Sequence, residues 1–156
     1  MKRSICMAAI LALTLTACGG SGPGSTPEQT YESARSIIAS ENWEAICDLI
    51  PPSQLEKQEK EFEEGKGGPG AAMMAAMFGI KPDELKTMGF RQFMGKMMGM
   101  MAEKDPDKMK QMLDAEIVDT KIDGDNATIT TKLGDKEEKV RLIKENGLWY
   151  MGEFGN

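Results

Sequence analysis

The chain has 156 residues, 25 acids against 19 bases, a net charge of −6 and no histidine. That balance gives no electrostatic reason to bind nucleic acid, whose affinity rests on Lys and Arg neutralising phosphates. Without His the commonest general base and the commonest metal ligand are missing, which argues against an enzyme, and no cofactor is implied.

Residues 1–17 read as a signal peptide, with Lys2 and Arg3 as the basic start and an apolar core from Ile5 to Leu15 too short to span a bilayer. The segment ends Leu15-Thr16-Ala17-Cys18-Gly19. This run resembles the lipobox of bacterial lipoproteins, which implies that the sulfur of Cys18 takes a diacylglycerol, that cleavage makes Cys18 the new N-terminus, and that its amine accepts a further acyl chain such as palmitate. Each buried methylene is worth about 0.8 kcal/mol and two or three chains anchor stably. The expected location is therefore the bacterial cell envelope. Gly19 rather than Asp after the Cys resembles the pattern sent to the outer membrane, facing the periplasm, in Gram-negative cells. Processing leaves 139 residues at a charge of −8, enough for one domain. The three Cys are Cys6 in the signal, Cys18 as anchor and Cys47, so the mature chain has no intrachain disulfide framework.

Residues 18–25 form a Gly/Ser/Pro tether of flexible composition, and 26–156 a single α+β domain. Thr26-Pro27-Glu28-Gln29 opens the first helix as N-cap, first position and capping box, with Tyr31, Ala34, Ile37 and Ile38 at helical spacing. Trp43, Ile46, Cys47 and Ile50 repeat the spacing in a shorter helix that Pro51-Pro52 ends, which places Cys47 on a core stripe. Ser53 to Glu64 is charged nearly throughout and reads as a solvated helix, with Leu55 and Phe62 its only large apolar side chains.

From 65 to 104 the chain is rich in Gly and Met: a loop over Gly65–Gly70, a short apolar helix over Ala71–Phe78, a helix start at Lys81-Pro82-Asp83-Glu84, and a stripe of Phe90, Phe93, Met94, Met97, Met98 and Met101. Eleven of the 14 methionines lie between Met73 and Met112. Two readings account for them. As packing, the stripe covers the sheet and flexible Met fills an irregular core, while Met73, Met74 and Met77 flank a pocket mouth. As chemistry, Met94, Met97, Met98 and Met101 offer thioethers on one face for Cu(I), a soft-metal role for an envelope protein without His. Gly95 and Gly99 make a small-xxx-small pair, and Arg91 and Lys96 forbid a membrane span there. Asp105-Pro106-Asp107 restarts a last helix with Met109, Met112 and Leu113 inward.

Ala115 to Phe154 reads as four strands in a meander. Ile117, Val118 and Ile122 lie in the first and Ala127, Ile129, Thr131 and Leu133 alternate in the second, across the turn Asp123-Gly124-Asp125-Asn126. Val140 and Leu142 carry the third, and Glu145-Asn146-Gly147 turns into Leu148-Trp149-Tyr150-Met151. An antiparallel sheet buries one face, so the helical half is its cover. Helices followed by this meander resemble small bacterial lipoproteins of unknown function with a nuclear-transport-factor-two-like, cystatin-like cone domain, over residues 26–50 and 83–154. The resemblance implies a curved sheet around helices and a cone-shaped pocket that in different members catalyses or binds. Catalytic members place acid-base groups, often Asp and His, in the cone. Here an Asp or Glu of the sheet, for example Asp119 or Glu116, would have to take such a role, at a strand start where side chains face water as readily as the core. The function expected is an anchored, non-enzymatic domain that binds a small apolar ligand or an envelope protein.

Overall fold

The computed structural model of the chain describes residues 22–152; the expected signal peptide, Cys18 and the last four residues lie outside the described residues. The architecture is α+β, with helices first and then a four-strand antiparallel meander in the order β1-β2-β3-β4, not closed into a barrel.

Helix α1 (Pro27–Ser40) starts as its residue types dictate. Thr26 Oγ1 accepts from the Gln29 amide at 3.3 Å and Pro27 holds the first turn. The Gln29 side chain reaches back one residue further than a capping box, accepting from the Ser25 amide at 2.9 Å. Thr30, Tyr31, Ala34, Ile37 and Ile38 form its buried face. Glu41, at φ 54°, ends the helix in the left-handed region.

The expected tether is shorter than 18–25. The Gly24 carbonyl accepts from the Trp149 amide at 2.9 Å, and Thr30 Oγ1 accepts from the Gly24 amide at 2.9 Å while donating to the Trp149 carbonyl at 2.8 Å. The chain is therefore docked on the last strand by Gly24, because a backbone beside a sheet edge finds its hydrogen bonds there.

Trp43–Leu49 is a 3₁₀ helix rather than the α-helix expected. Squeezed between the left-handed Glu41 and Pro51, it has room for only two tight turns, which bury Ala45, Ile46, Cys47 and Leu49. Helix α2 (Pro52–Gly65) is the solvated helix foreseen, with no residue fully buried, and Leu55 and Phe62 touch one core each. Glu145 bonds both the Ser53 amide and its hydroxyl, at 3.2 and 2.8 Å, so the third hairpin holds this helix's N-terminus. The Gly65–Gly70 loop contracts to three residues, because Gly68 and Pro69 already start α3 (Pro69–Met77). Then follow α4 (Pro82–Thr87), α5 (Phe90–Lys104) and α6 (Pro106–Asp114), the last capped by Asp105, whose carboxylate accepts from the Lys108 amide at 3.0 Å.

The strands are β1 (Glu116–Asp123), β2 (Asn126–Leu133), β3 (Lys136–Glu145) and β4 (Leu148–Met151). Gly124 at φ 59° makes the first turn, and Asn146 and Gly147 at φ 52° and 85° make the third. The second turn, Gly134-Asp135, joins β2 to a third strand that begins in the charged run from Lys136. Ala127, Ile129 and Thr131 of β2 face α1 along with Leu142, Trp149 and Met151. In β1 only Ile117 packs on the core. A register shift between Ile117 and Asp119 leaves Val118 unpaired and half exposed, and Ile122, opposite Ala127, is exposed as well.

Two cores result. The larger lies between α1, the 3₁₀ helix and the sheet; the smaller joins Ala75, Ile80, Leu85, Met88 and Phe93, with Phe62 against Phe93 at 5.1 Å between ring centroids. Helix α5 does not cover the sheet as expected. It lies against the 3₁₀ helix, α2 and α6, while α1 takes the sheet. The physical reason is that α5 has two apolar sides, and a single sheet face seats only one helix layer here.

Candidate functional site

A cleft of about 1130 Å³ lies between the ends of α1, the 3₁₀ helix, α4, α5 and α6, with the turn after α3 at one end. No strand residue lines it. Under the sheet, where the cone resemblance places a pocket, there is a cavity of about 60 Å³ beside Tyr31, Met112 and Val140.

Two glycines of α5 shape the cleft. A Cβ on Gly95 would lie 2.7 Å from Glu44 Cγ, and one on Gly99 would lie 3.2 Å from Trp43 Cδ1. The small-xxx-small pair thus lets the 3₁₀ helix lie directly on α5, with Trp43 half-buried at the cleft wall. Met100 of α5 and Met109 and Leu113 of α6 line the opposite side, and Phe78, Gly79 and Ile80 close one end after α3. Helix α6 is held in place by α1, since Arg35 donates to the Leu113 carbonyl and Tyr31 Oη to the Met112 carbonyl at 3.5 Å.

Charge is concentrated at the rim. Lys96 of α5 pairs with Glu84 of α4 and holds that carboxyl below the usual range. Glu41, Glu44, Glu103 and Lys110 also line the cleft and are exposed. A surface of this kind can seat an apolar body and meet positive charge at its edge.

The sequence's candidate residues fall elsewhere. Met94 and Met98 pack on the larger core, Met97 on the smaller, and Met101 is half exposed, so the four thioethers are shared among three environments. Among the described residues no group of three or more His, Cys, Asp or Glu is placed to hold a metal ion. Met73 and Met77, 69% and 68% exposed, stand on α3 and do not line the cleft, and nor does Met74. Glu116 and Asp119 are exposed, with Lys121 Nζ 3.8 Å from Asp119. Cys47 is fully buried, and burial pushes its thiol up to about 11. It borders a cavity of about 380 Å³ beneath Gly22, Pro23 and Tyr150, where Arg91 binds Asp48 at 2.6 Å. Cys18 lies outside the described residues. Among them no helix is long and apolar enough to cross a membrane.

The residues that wall the cleft were not singled out as a group by sequence reasoning. Trp43, Met109 and Leu113 read as core, and only the Gly95/Gly99 spacing signalled a close approach at this place. No protein-family model, curated protein or solved structure matches the chain.

Proposed function

We propose that the chain is a lipid-anchored binding protein of the bacterial cell envelope, tethered through acyl chains on Cys18, that takes an apolar ligand or partner in its helical cleft without chemical turnover. The observation that carries the binding half is the cleft: about 1130 Å³ walled by Trp43, Met88, Met100, Met109 and Leu113. Burying apolar area against such a wall is worth about 25 cal/mol per Å² before the costs of association. Methionine suits it, because an unbranched thioether refits to occupants of different shape. The anchoring half rests on Leu15-Thr16-Ala17-Cys18. Helices followed by a meander also support placing the domain in the nuclear-transport-factor-two-like superfamily, with its binding site moved from beneath the sheet to the helices.

The test is native mass spectrometry of the protein purified from membranes, with and without added envelope lipid extract. A retained adduct is expected, lost when Met109→Glu and Leu113→Glu place charge in the cleft. Both side chains are only half-buried, so the variants keep the fold. An adduct that survives both substitutions would place binding elsewhere.

A further inference from the structure

The rim charges of the cleft do not balance. Glu84 is neutralised by Lys96, whereas Glu41, Glu44 and Glu103 form no ion pair among the described residues and share the cleft with one further base, Lys110. Several acids of the helices outside the cleft are paired, as Lys57 with Glu61, Lys60 with Glu64 and Arg91 with Asp48. The size is also distinctive. A volume of about 1130 Å³ exceeds the roughly 300–1,000 Å³ of small-molecule pockets. A helix about 10 Å across that rises about 1.5 Å per residue fills that space with roughly ten residues, nearly three turns.

We propose that the occupant is an amphipathic, basic helix of a partner protein. Its apolar face lies on Trp43, Met100, Met109 and Leu113, and its Lys or Arg side chains meet Glu41, Glu44 and Glu103. This rests on the binding-protein reading and narrows it to one class of partner. Three features act together. Apolar anchors at helical spacing fill the floor, as in helix-in-groove recognition. Three unpaired carboxylates select positive charge at the edge and speed encounter. Flexible methionine, here Met100 and Met109, admits more than one apolar sequence.

The experiment uses the full chain in phosphatidylcholine nanodiscs, and empty nanodiscs titrated in parallel measure the partition of the peptide's apolar face into lipid, which is subtracted. A dye-labelled synthetic amphipathic helix of Leu and Lys, about five turns long, is titrated and its anisotropy read. In a Trp149→Phe variant Trp43 is the single remaining Trp, and its emission reports occupancy of the cleft directly. Saturable binding is expected, with a shift in Trp43 emission. The combined exposed-surface variant Glu41→Gln, Glu44→Gln, Glu103→Gln should weaken it about tenfold, as should raised salt. A peptide with the same Leu face and Glu in place of Lys should bind at least about tenfold more weakly by the same arithmetic. Equal binding of the two peptides, or no effect of the triple variant, overturns the proposal. A fluorescent fatty-acid analogue that shifts Trp43 emission while neither peptide binds also overturns it, but leaves the binding-protein reading standing. Failure of all three probes removes both.

Discussion

Replacing Trp149 by Ala removes the side chain that joins the last strand to the helical layer. Trp149 is 3% exposed and packs in the larger core with Tyr31, Ile37 and Ile129, where it also lies under Lys144, whose Nζ stands 5.6 Å from the ring. The backbone bonds to Gly24 and Thr30 survive in Ala, so the loss is one of packing. Truncating a buried aromatic costs about 3–5 kcal/mol once the cavity is included, against a whole-domain stability of about 5–15 kcal/mol. With a urea slope of about 1–3 kcal/mol per molar, the midpoint should fall by at least about 1 M. Trp43→Ala is the internal comparison. Trp43 is half-buried at the cleft wall, where water already reaches part of the ring, so about 1–2 kcal/mol is expected. An unchanged midpoint for Trp149→Ala, or a larger loss for Trp43→Ala, would refute the assignment of the two tryptophans to core and cleft.

Cys18→Ala should abolish maturation and membrane retention; an unmodified N-terminal peptide recovered from the membrane fraction of wild-type cells would end the anchoring proposal. The Cys47 thiol is raised from 9.0 to about 11 by burial, so between those values the unfolded chain ionises first and stability falls as pH rises. At about 1.4 kcal/mol per pH unit the fall reaches roughly 2–3 kcal/mol across the window. Urea midpoints at the two ends should therefore differ more for the wild type than for Cys47→Ala, and equal differences would contradict the burial argument. Changing Met94, Met97, Met98 and Met101 together to Leu should keep the fold, since each nearly volume-conserving swap costs less than about 1.5 kcal/mol. A chromogenic Cu(I) chelator should meet no competition from either protein; competition lost in the Leu variant would restore the metal role to these residues.

Much of the fold was legible because it is punctuated locally. Pro27, Pro82 and Pro106 mark helix starts, and Asp123-Gly124 and Asn146-Gly147 mark hairpins through residues that tolerate positive φ. The Gly134-Asp135 turn carried the same signal, but the charged Lys136–Lys139 run beyond it gave no apolar alternation to announce a strand. The stripe on α5 showed that the helix is buried on that side without showing by what. Helical period fixes which side chains share a face, and the neighbour is chosen by tertiary packing. For the same reason the cleft was not legible. It exists because Gly95 and Gly99 admit the 3₁₀ helix while Arg35 fixes α6 opposite, and contacts between segments so far apart in the chain leave no local pattern.

The hydrogen bond from the Trp149 amide to the Gly24 carbonyl sets how far the domain can stand from the proposed anchor at Cys18. Six peptide links separate Cys18 from Gly24, and a fully extended chain covers at most about 3.6 Å per residue, so the proposed tether is no longer than about 22 Å. If Cys18 is acylated as proposed, the edge of the domain around Gly24 stays within about 22 Å of the membrane surface. A domain tethered in this way would sweep a shallow disc at the membrane surface, and whatever enters its cleft would have to come there to be met.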